Sequence, residues 1–339
     1  MTSGRPPPIS IIRNASVAPA TQRAYTINMN RFLSHTRLSL LQLYTRRSSS
    51  VDRLLAAYLD HSYESGGSFD YASQTFFGLL HHCPHLRNRL GESRLRLRGW
   101  ANIRVTRSHP PLTWELTVLF AVTMASWSHH AEAVGMLLSF DCYLRVGELT
   151  RLTAADVMVP NDARHGAALQ RTSIRLGVTK TGRNQAVTLQ NENVATVLQR
   201  YMISLGDVPS TSRIFPFSPA RLRTLLRTVA VSHGLGAIPY VPHSLRHGGA
   251  TTDYLRGRSI EQIMQHGRWK SMESAQRYIQ QGHAVMGTIA VPTALNNSGA
   301  AYARVLVETI DTLRVDRPAP VSTTPASSPR RRRRGIGDQ

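Results

Sequence analysis

Cysteine is almost missing from this chain: Cys83 and Cys142 are the only two in 339 residues. Both sit in apolar, helix-like contexts. No disulfide framework can be built from them, which fits a reducing compartment. Long apolar runs are missing too. The longest, Leu116 to Trp127, is about a dozen residues and carries two threonines, too short to span a bilayer. The opening MTSGRPPPIS lacks the apolar centre of a secretion signal. There is no internal repeat at solenoid periods. Acid is scarce, with 20 Asp and Glu against 41 Lys and Arg, a formal net charge of +21. Within that excess lysine is rare and arginine dominates. A field this basic attracts polyanions and speeds encounter with them. No long basic amphipathic helix is apparent, so an anionic membrane surface fits less well than nucleic acid.

What is present divides by composition. Residues 1–19 contain Pro and Ser without periodicity and form a flexible arm. Residues 20–100 show several helical patterns. Tyr25, Met29, Phe32 and Leu33 share one face, and Val51, Leu54, Leu55, Tyr58 and Leu59 another. Short helices are expected over 71–81 and 85–97. Four helices make a small all-helical domain whose polar side carries Arg87, Arg89, Arg94, Arg96 and Arg98, suited to a nucleic-acid backbone. Residues 101–112 contain Pro110-Pro111 and make a linker.

A second domain is expected over 113–290. Apolar helices run over 113–126 and 131–143, with a turn after Arg145 into a further short helix. Ile174, Leu176 and Val178 alternate, as do Val187 and Leu189, around a Thr181–Asn184 turn. That is a β-hairpin. Helices follow at 193–205, from Ser218-Pro219, where a hydroxyl cap precedes a first-turn proline, from Ser244 to Gly257, and at 259–266 and 272–279. One last helix, 299–315, has Tyr302, Val305, Leu306 and Ile310 on a stripe. Residues 316–339 are Pro/Ser/Thr-rich and then carry five consecutive arginines, Arg330 to Arg334. This disordered basic tail is a nuclear-import or nucleic-acid patch. The fold class is mainly α with a small β-hairpin or sheet (α+β).

The chemistry-bearing residues lie between 142 and 278. Cleaving a phosphodiester with a side chain needs a nucleophile, rigid cations for the non-bridging oxygens, an acid for the leaving oxygen and a partner for the attacking group. Four stretches supply such groups: CYLRVGELTRLTAADV, VTKTGRNQAVTL, HSLRHGGATTDYL and GRWKSMESAQRY. In order and spacing they resemble the boxes of tyrosine recombinases of the phage integrase family. There an arginine precedes Gly or Ser, Glu and Leu, a hairpin carries a lysine, and a His-x-x-Arg box follows. A His or Trp then stands nine residues before the nucleophilic Tyr. Any one box alone is weak; four in register are specific. The helical 20–100 domain is similar to the family's core-binding (SAM-like) DNA-binding domain, and 113–290 to its catalytic domain.

The resemblance implies a role for each residue. Arg145 and Arg246 clamp the scissile phosphate, a task suited to a planar guanidinium that does not titrate. Lys180 is the general acid for the 5′-hydroxyl, with Arg183 as the nearby alternative. His243 accepts the tyrosine proton or bonds a phosphate oxygen. Trp269 stands where many members have histidine. It can donate an N–H but cannot shuttle protons, as in Cre-like members. Tyr278 attacks phosphorus. Each has a plainer reading: an Arg145–Glu148 ion pair, a buried structural arginine, a solvated turn lysine, a core tryptophan, an aromatic in a short helix. His243 and His247 could instead pair on a metal, but no third ligand stands at a sensible spacing; the HHCPH stretch at 81–85 invites the same reading, with no better support.

The function implied is a site-specific recombinase or integrase that cuts and rejoins double-stranded DNA through a 3′-phosphotyrosyl ester, as a homotetramer on paired sites. It needs no metal, ATP or other cofactor and no membrane. Its last helix would dock on a neighbouring protomer. A type IB topoisomerase shares the chemistry, and a catalytically inactive DNA-binding protein would share the fold. An RNA-binding basic protein would leave the register a coincidence. The GRWKSMESAQRYIQ wording and the arginine tail are most similar to mobile-element recombinases of the DIRS type. Nuclear localisation is then expected in a eukaryotic host, and a cytoplasmic or nucleoid location otherwise.

Overall fold

The computed structural model describes residues 11–104, 109–160, 170–177, 184–279 and 291–315. The chain divides into two compact units, Met1–Arg107 and Ser108–Gln339.

The first unit is helical: α1 (Ile11–Asn14), α2 (Pro19–Thr36), α3 (Leu40–Thr45), α4 (Ser48–Glu64), α5 (Phe69–His82) and α6 (Gly91–Ile103). Two short helices join the four expected. α1 lies inside the stretch read as an arm. α3 is launched by a capping box in which Ser39 and Gln42 satisfy each other's backbone N–H. The apolar faces close on Phe32, Leu43, Val51, Leu55, Leu79 and Leu86, all essentially inaccessible. α6 has no cap of its own. Its first amides, Glu92 and Ser93, donate to the carboxylate of the buried Asp52 on α4 at 2.9 Å each. A carboxylate at a helix N-terminus satisfies orphan donors and meets the positive end of the dipole. Of the expected arginines, Arg87, Arg89, Arg94 and Arg98 are exposed, while Arg96 is paired with Asp60 and Glu92.

The second unit opens with α7 (Trp114–Ser126) and α8 (His130–Asp141), then the one-turn α9 (Val146–Leu149). Both long helices are buried on nearly every side, as central helices are. Strands β1 (Val157–Met158), β2 (Ser173–Gly177) and β3 (Gln185–Thr188) form an antiparallel sheet in that order. Val157 pairs with Ile174, and Ile174 with Val187. The expected hairpin is therefore β2–β3, widened by a two-residue strand. Its turn at 178–183, with Lys180 and Arg183, lies outside the described residues. α10 (Glu192–Ser204), α11 (Pro219–Ser232), α12 (Pro242–Leu255), α13 (Ile260–Gly267) and α14 (Met272–Gln276) follow. The Ser218 hydroxyl caps α11 by accepting from the Arg221 amide.

α12 lies unusually close to its neighbours. A Cβ on Gly248 would come within 2.0 Å of the Leu112 carbonyl oxygen, and one on Gly249 within 2.2 Å of that of Phe140. Only glycine permits such approach. The His-x-x-Arg box is thus clamped against α8, whose end leads to Arg145.

The single C-terminal helix expected over 299–315 is two helices, α15 (Thr293–Arg304) and α16 (Leu306–Val315), broken at Val305. The break turns Leu306, Val307 and Ile310 into the core and leaves Tyr302 and Val305 outside. Both helices pack on their own unit. A Cβ on Gly299 would meet the Glu115 carbonyl of α7 at 2.1 Å, Asp311 pairs with Arg200 of α10, and Arg314 donates to the Arg200 carbonyl at 2.6 Å.

The fold is mainly α with a small three-stranded sheet. Among the described residues no helix is long and apolar enough to cross a membrane.

Candidate active site

Five of the six residues singled out fall among the described ones, and they converge. A cleft of about 490 Å³ in the second unit is lined by Arg145, His243, His247, Trp269, Lys270, Ser274, Arg277 and Tyr278. Arg246 lies beneath it, fully buried.

Arg145 is set by the way α8 ends. Tyr143 adopts a left-handed conformation (φ 47°), and the Leu144 amide donates back to Ser139. The chain then turns so that Arg145 caps α9. Glu148, one turn on and buried, accepts the Arg145 amide at 3.0 Å and its guanidinium at 2.6 Å. The ion pair weighed from the sequence exists, and it orients an arginine that still faces the cleft. Burial alone would raise the Glu148 carboxyl. The Arg145 amide and the charges of Arg268 and Arg145 outweigh it and hold the group below its ordinary range, so it stays ionised.

Arg246, on α12, donates to the carbonyl of Tyr143 and, at 2.8 Å, to that of Gly267. Its guanidinium carbon lies 4.6 Å from the Trp269 ring centroid and 5.0 Å from that of Tyr278, within cation–π range. Burial, then the charges of Arg145 and Arg268, push it down to about 10, so it remains a cation at neutral pH. Its Nε has no hydrogen-bond partner among the described residues, and neither does the buried Trp269 indole N–H. Two buried donors beside the cleft are therefore uncommitted.

Tyr278 follows α14, whose start is capped by Ser271. Its carbonyl lies 3.3 Å from both His247 Nδ1 and Thr251 Oγ1 on α12. Its ring is stacked on His247 at 4.8 Å and tilted against Trp269 at 4.7 Å and His243 at 5.2 Å. His243 is half-buried in the first turn of α12. Burial, then the charges of His247, Arg246, His109 and Arg145, push it down to about 4. At neutral pH it is a neutral imidazole, able to accept a proton.

Several residues in this arrangement were not singled out from the sequence. Lys270, exposed, lines the cleft together with Ser274 and Arg277. Arg268 lies behind it and joins Arg145 on Glu148. Among the described residues no group of three or more His, Cys, Asp or Glu is placed to hold a metal ion. A larger depression of about 840 Å³ lies in the first unit, over Tyr25, Phe76 and Phe77. It contributes neither a carboxylate nor a paired nucleophile.

Residues 118–284 match the sequence model of the phage integrase family. Comparison with curated proteins gives no match. Among solved structures, the Tn1549 transposon integrase in complex with transposon right end DNA is 12% identical. That match covers 83% of this chain and 97% of the other, with a TM-score of 0.56. The same integrase with circular intermediate DNA gives 13%, 79%, 98% and 0.51. The XerH site-specific recombinase bound to a palindromic difH substrate gives 15%, 76%, 75% and 0.50. At these identities the likeness is one of fold.

Proposed function

We propose that this chain, whose residues 118–284 match the sequence model of the phage integrase family, is a site-specific DNA recombinase working through a 3′-phosphotyrosyl intermediate. One observation carries the proposal: Arg145, His243, Arg246, Trp269 and Tyr278, spread over more than 130 residues of sequence, meet at one cleft. That the similar integrase and recombinase structures hold DNA supports double-stranded DNA as the partner.

In the proposed reaction Arg145 and Arg246 take the non-bridging oxygens of the scissile phosphate, and the Trp269 N–H donates to one of them. The phenol of Tyr278 gives its proton to neutral His243. Its oxygen attacks phosphorus, and the bond to the 5′-oxygen breaks. That oxygen leaves with a proton from Lys180, the role its place in the hairpin box implies. The ester retains the bond's free energy, so a second 5′-hydroxyl can reverse the step on a new strand without ATP. The seating of Tyr278 against Arg246 of its own chain supports attack in cis. Two strands exchanged at a time call for a homotetramer on paired sites.

The test is a duplex nicked just past the cleavage point, selected from a random pool by covalent capture. The wild type forms an adduct stable to denaturation, and Tyr278→Phe forms none while still binding the duplex. An adduct on Tyr278→Phe, or none on wild type from any pool, refutes the proposal. Relaxation of any supercoiled plasmid, without a required site, would instead mark a topoisomerase.

A further inference from the structure

Arg268 ends α13 in the left-handed region, φ 56°, and is 8% exposed. Its two terminal nitrogens are directed mainly at one stretch of chain, while its buried Nε has no hydrogen-bond partner among the described residues. Those terminal nitrogens donate to the carbonyls of Cys142 at 3.2 Å and Tyr143 at 3.4 Å, and to Glu148 Oε2 at 3.2 Å, with a further bond to the His266 carbonyl at 3.1 Å. The other oxygen of that carboxylate, Oε1, holds Arg145. The Tyr143 carbonyl is also the acceptor for Arg246. The residue after Arg268 is Trp269, whose ring lies against Tyr278.

Arg268 is thus tied at one end to the turn that launches the Tyr278 segment, and at the other to the residues that place Arg145. A guanidinium can do this because its donors are fixed in one plane and reach several acceptors at once. A lysine would offer a single ammonium.

We infer that Arg268 is a positioning residue that locks Arg145, through Glu148, to the segment carrying Tyr278, so that phosphate clamp and nucleophile are assembled as one rigid unit. The inference rests on the phosphate-binding role proposed for Arg145. It goes further by making that role conditional on a residue that need not touch the phosphate. When the α13–α14 segment is displaced, Arg268 leaves Glu148, and Arg145 loses its orientation along with the nucleophile. A protomer then cannot hold a phosphate productively while its tyrosine is withdrawn.

The test is a double-mutant cycle on the full chain: wild type, Arg268→Asn, Glu148→Gln and the double variant. Asparagine is chosen because it tolerates the left-handed conformation, so the backbone turn survives. The probe is inorganic phosphate, titrated by thermal shift, with single-turnover adduct formation measured in parallel. The expected result is that Arg268→Asn and Glu148→Gln each weaken phosphate binding about tenfold, while the double variant is no weaker than either alone, as residues acting in series behave. Adduct formation should fall at least as far as phosphate binding.

Four outcomes overturn the inference. In one, the melting temperature falls while phosphate affinity is unchanged, which is a structural role only. In another, the two losses add, so that Arg268 does not act through Glu148. In the third, wild type binds no phosphate. The recombinase reading fails separately. If the phosphate cycle shows coupling but wild type never forms an adduct, the positioning role stands and the proposed reaction falls. Normal adduct formation and phosphate binding by Arg268→Asn sink the positioning role alone.

Discussion

The guanidinium of Arg246 and the ring of Tyr278 face each other across 5.0 Å within one protomer. The same guanidinium that would neutralise a phosphate therefore also lies against the phenol that would attack it. A buried cation against the ring of the attacking phenol offsets negative charge as it develops in the transition state.

Replacing Arg246 with lysine separates charge from geometry. Lysine keeps the charge but cannot serve the Tyr143 and Gly267 carbonyls and a phosphate together. Single-turnover cleavage by Arg246→Lys should fall about 10²- to 10³-fold, the usual loss for one transition-state donor. The dissociation constant for duplex DNA should change far less. An equal loss in binding and cleavage would show that Arg246 serves affinity alone.

Gly267 offers a sharper probe, because it touches no substrate. A Cβ there would meet the Trp269 ring at 2.0 Å, and that ring lies 4.7 Å from Tyr278. Gly267→Ala should displace the indole and the phenol behind it. Misplacing a reacting group by about 1 Å costs roughly 10²-fold. Adduct formation should drop by that order while the far-ultraviolet circular dichroism spectrum keeps its helical shape. Wild-type rates in this variant would mean that the tryptophan–tyrosine contact is incidental.

The pH dependence of stability follows from His243. In the unfolded chain it protonates near 6.5, and in the folded protein near 4. Between those values the unfolded state binds more protons, so stability is whole above about 6.5 and declines as pH falls toward 4. His81, His82, His233 and His266, all lowered chiefly by burial, act in the same sense. Asp141, pushed up to about 6 by burial, acts in the opposite one. The comparison must therefore be between proteins: the urea midpoint of His243→Asn should drop less between pH 7 and pH 5 than that of wild type. Parallel drops would mean that His243 titrates normally.

Proton donation by Lys180 can be tested by changing the leaving group. A 5′-bridging sulfur leaves readily as thiolate and needs no acid. Lys180→Ala should cleave an oxygen-bridged substrate at least about 10²-fold more slowly than wild type, yet cleave the sulfur-bridged one at a similar rate. Rescue by sulfur in Lys270→Ala instead would move the acid to the lysine that lines the cleft.

The parts of this protein legible in its sequence are those encoded locally. The nine-residue spacing from Trp269 to Tyr278 and the His-x-x-Arg box are short-range patterns, and helices with clear caps, such as α11 behind Ser218, carry their own start signals. What escaped depends on distant partners. Arg268 carries no local signal that sets it apart in an arginine-rich chain. Its role appears only when a left-handed turn brings it to Glu148, 120 residues earlier. The start of α6 carries no cap signal because its cap, Asp52, comes from another helix. The sequence predicts one C-terminal helix where there are two, because no Gly or Pro marks Val305. The break is set by which side chains the core accepts, Leu306, Val307 and Ile310 rather than Tyr302.

Among the described residues Glu148 is the one carboxylate paired with Arg145 and Arg268, and Arg246 adds a third guanidinium to the same cluster. Such crowding of like charge is an internal strain that any bound polyanion relieves, and binding to the native state alone raises its stability by mass action. Free molecules of this protein should then be the ones that proteases clear first, and its abundance in a cell should track how much DNA it occupies.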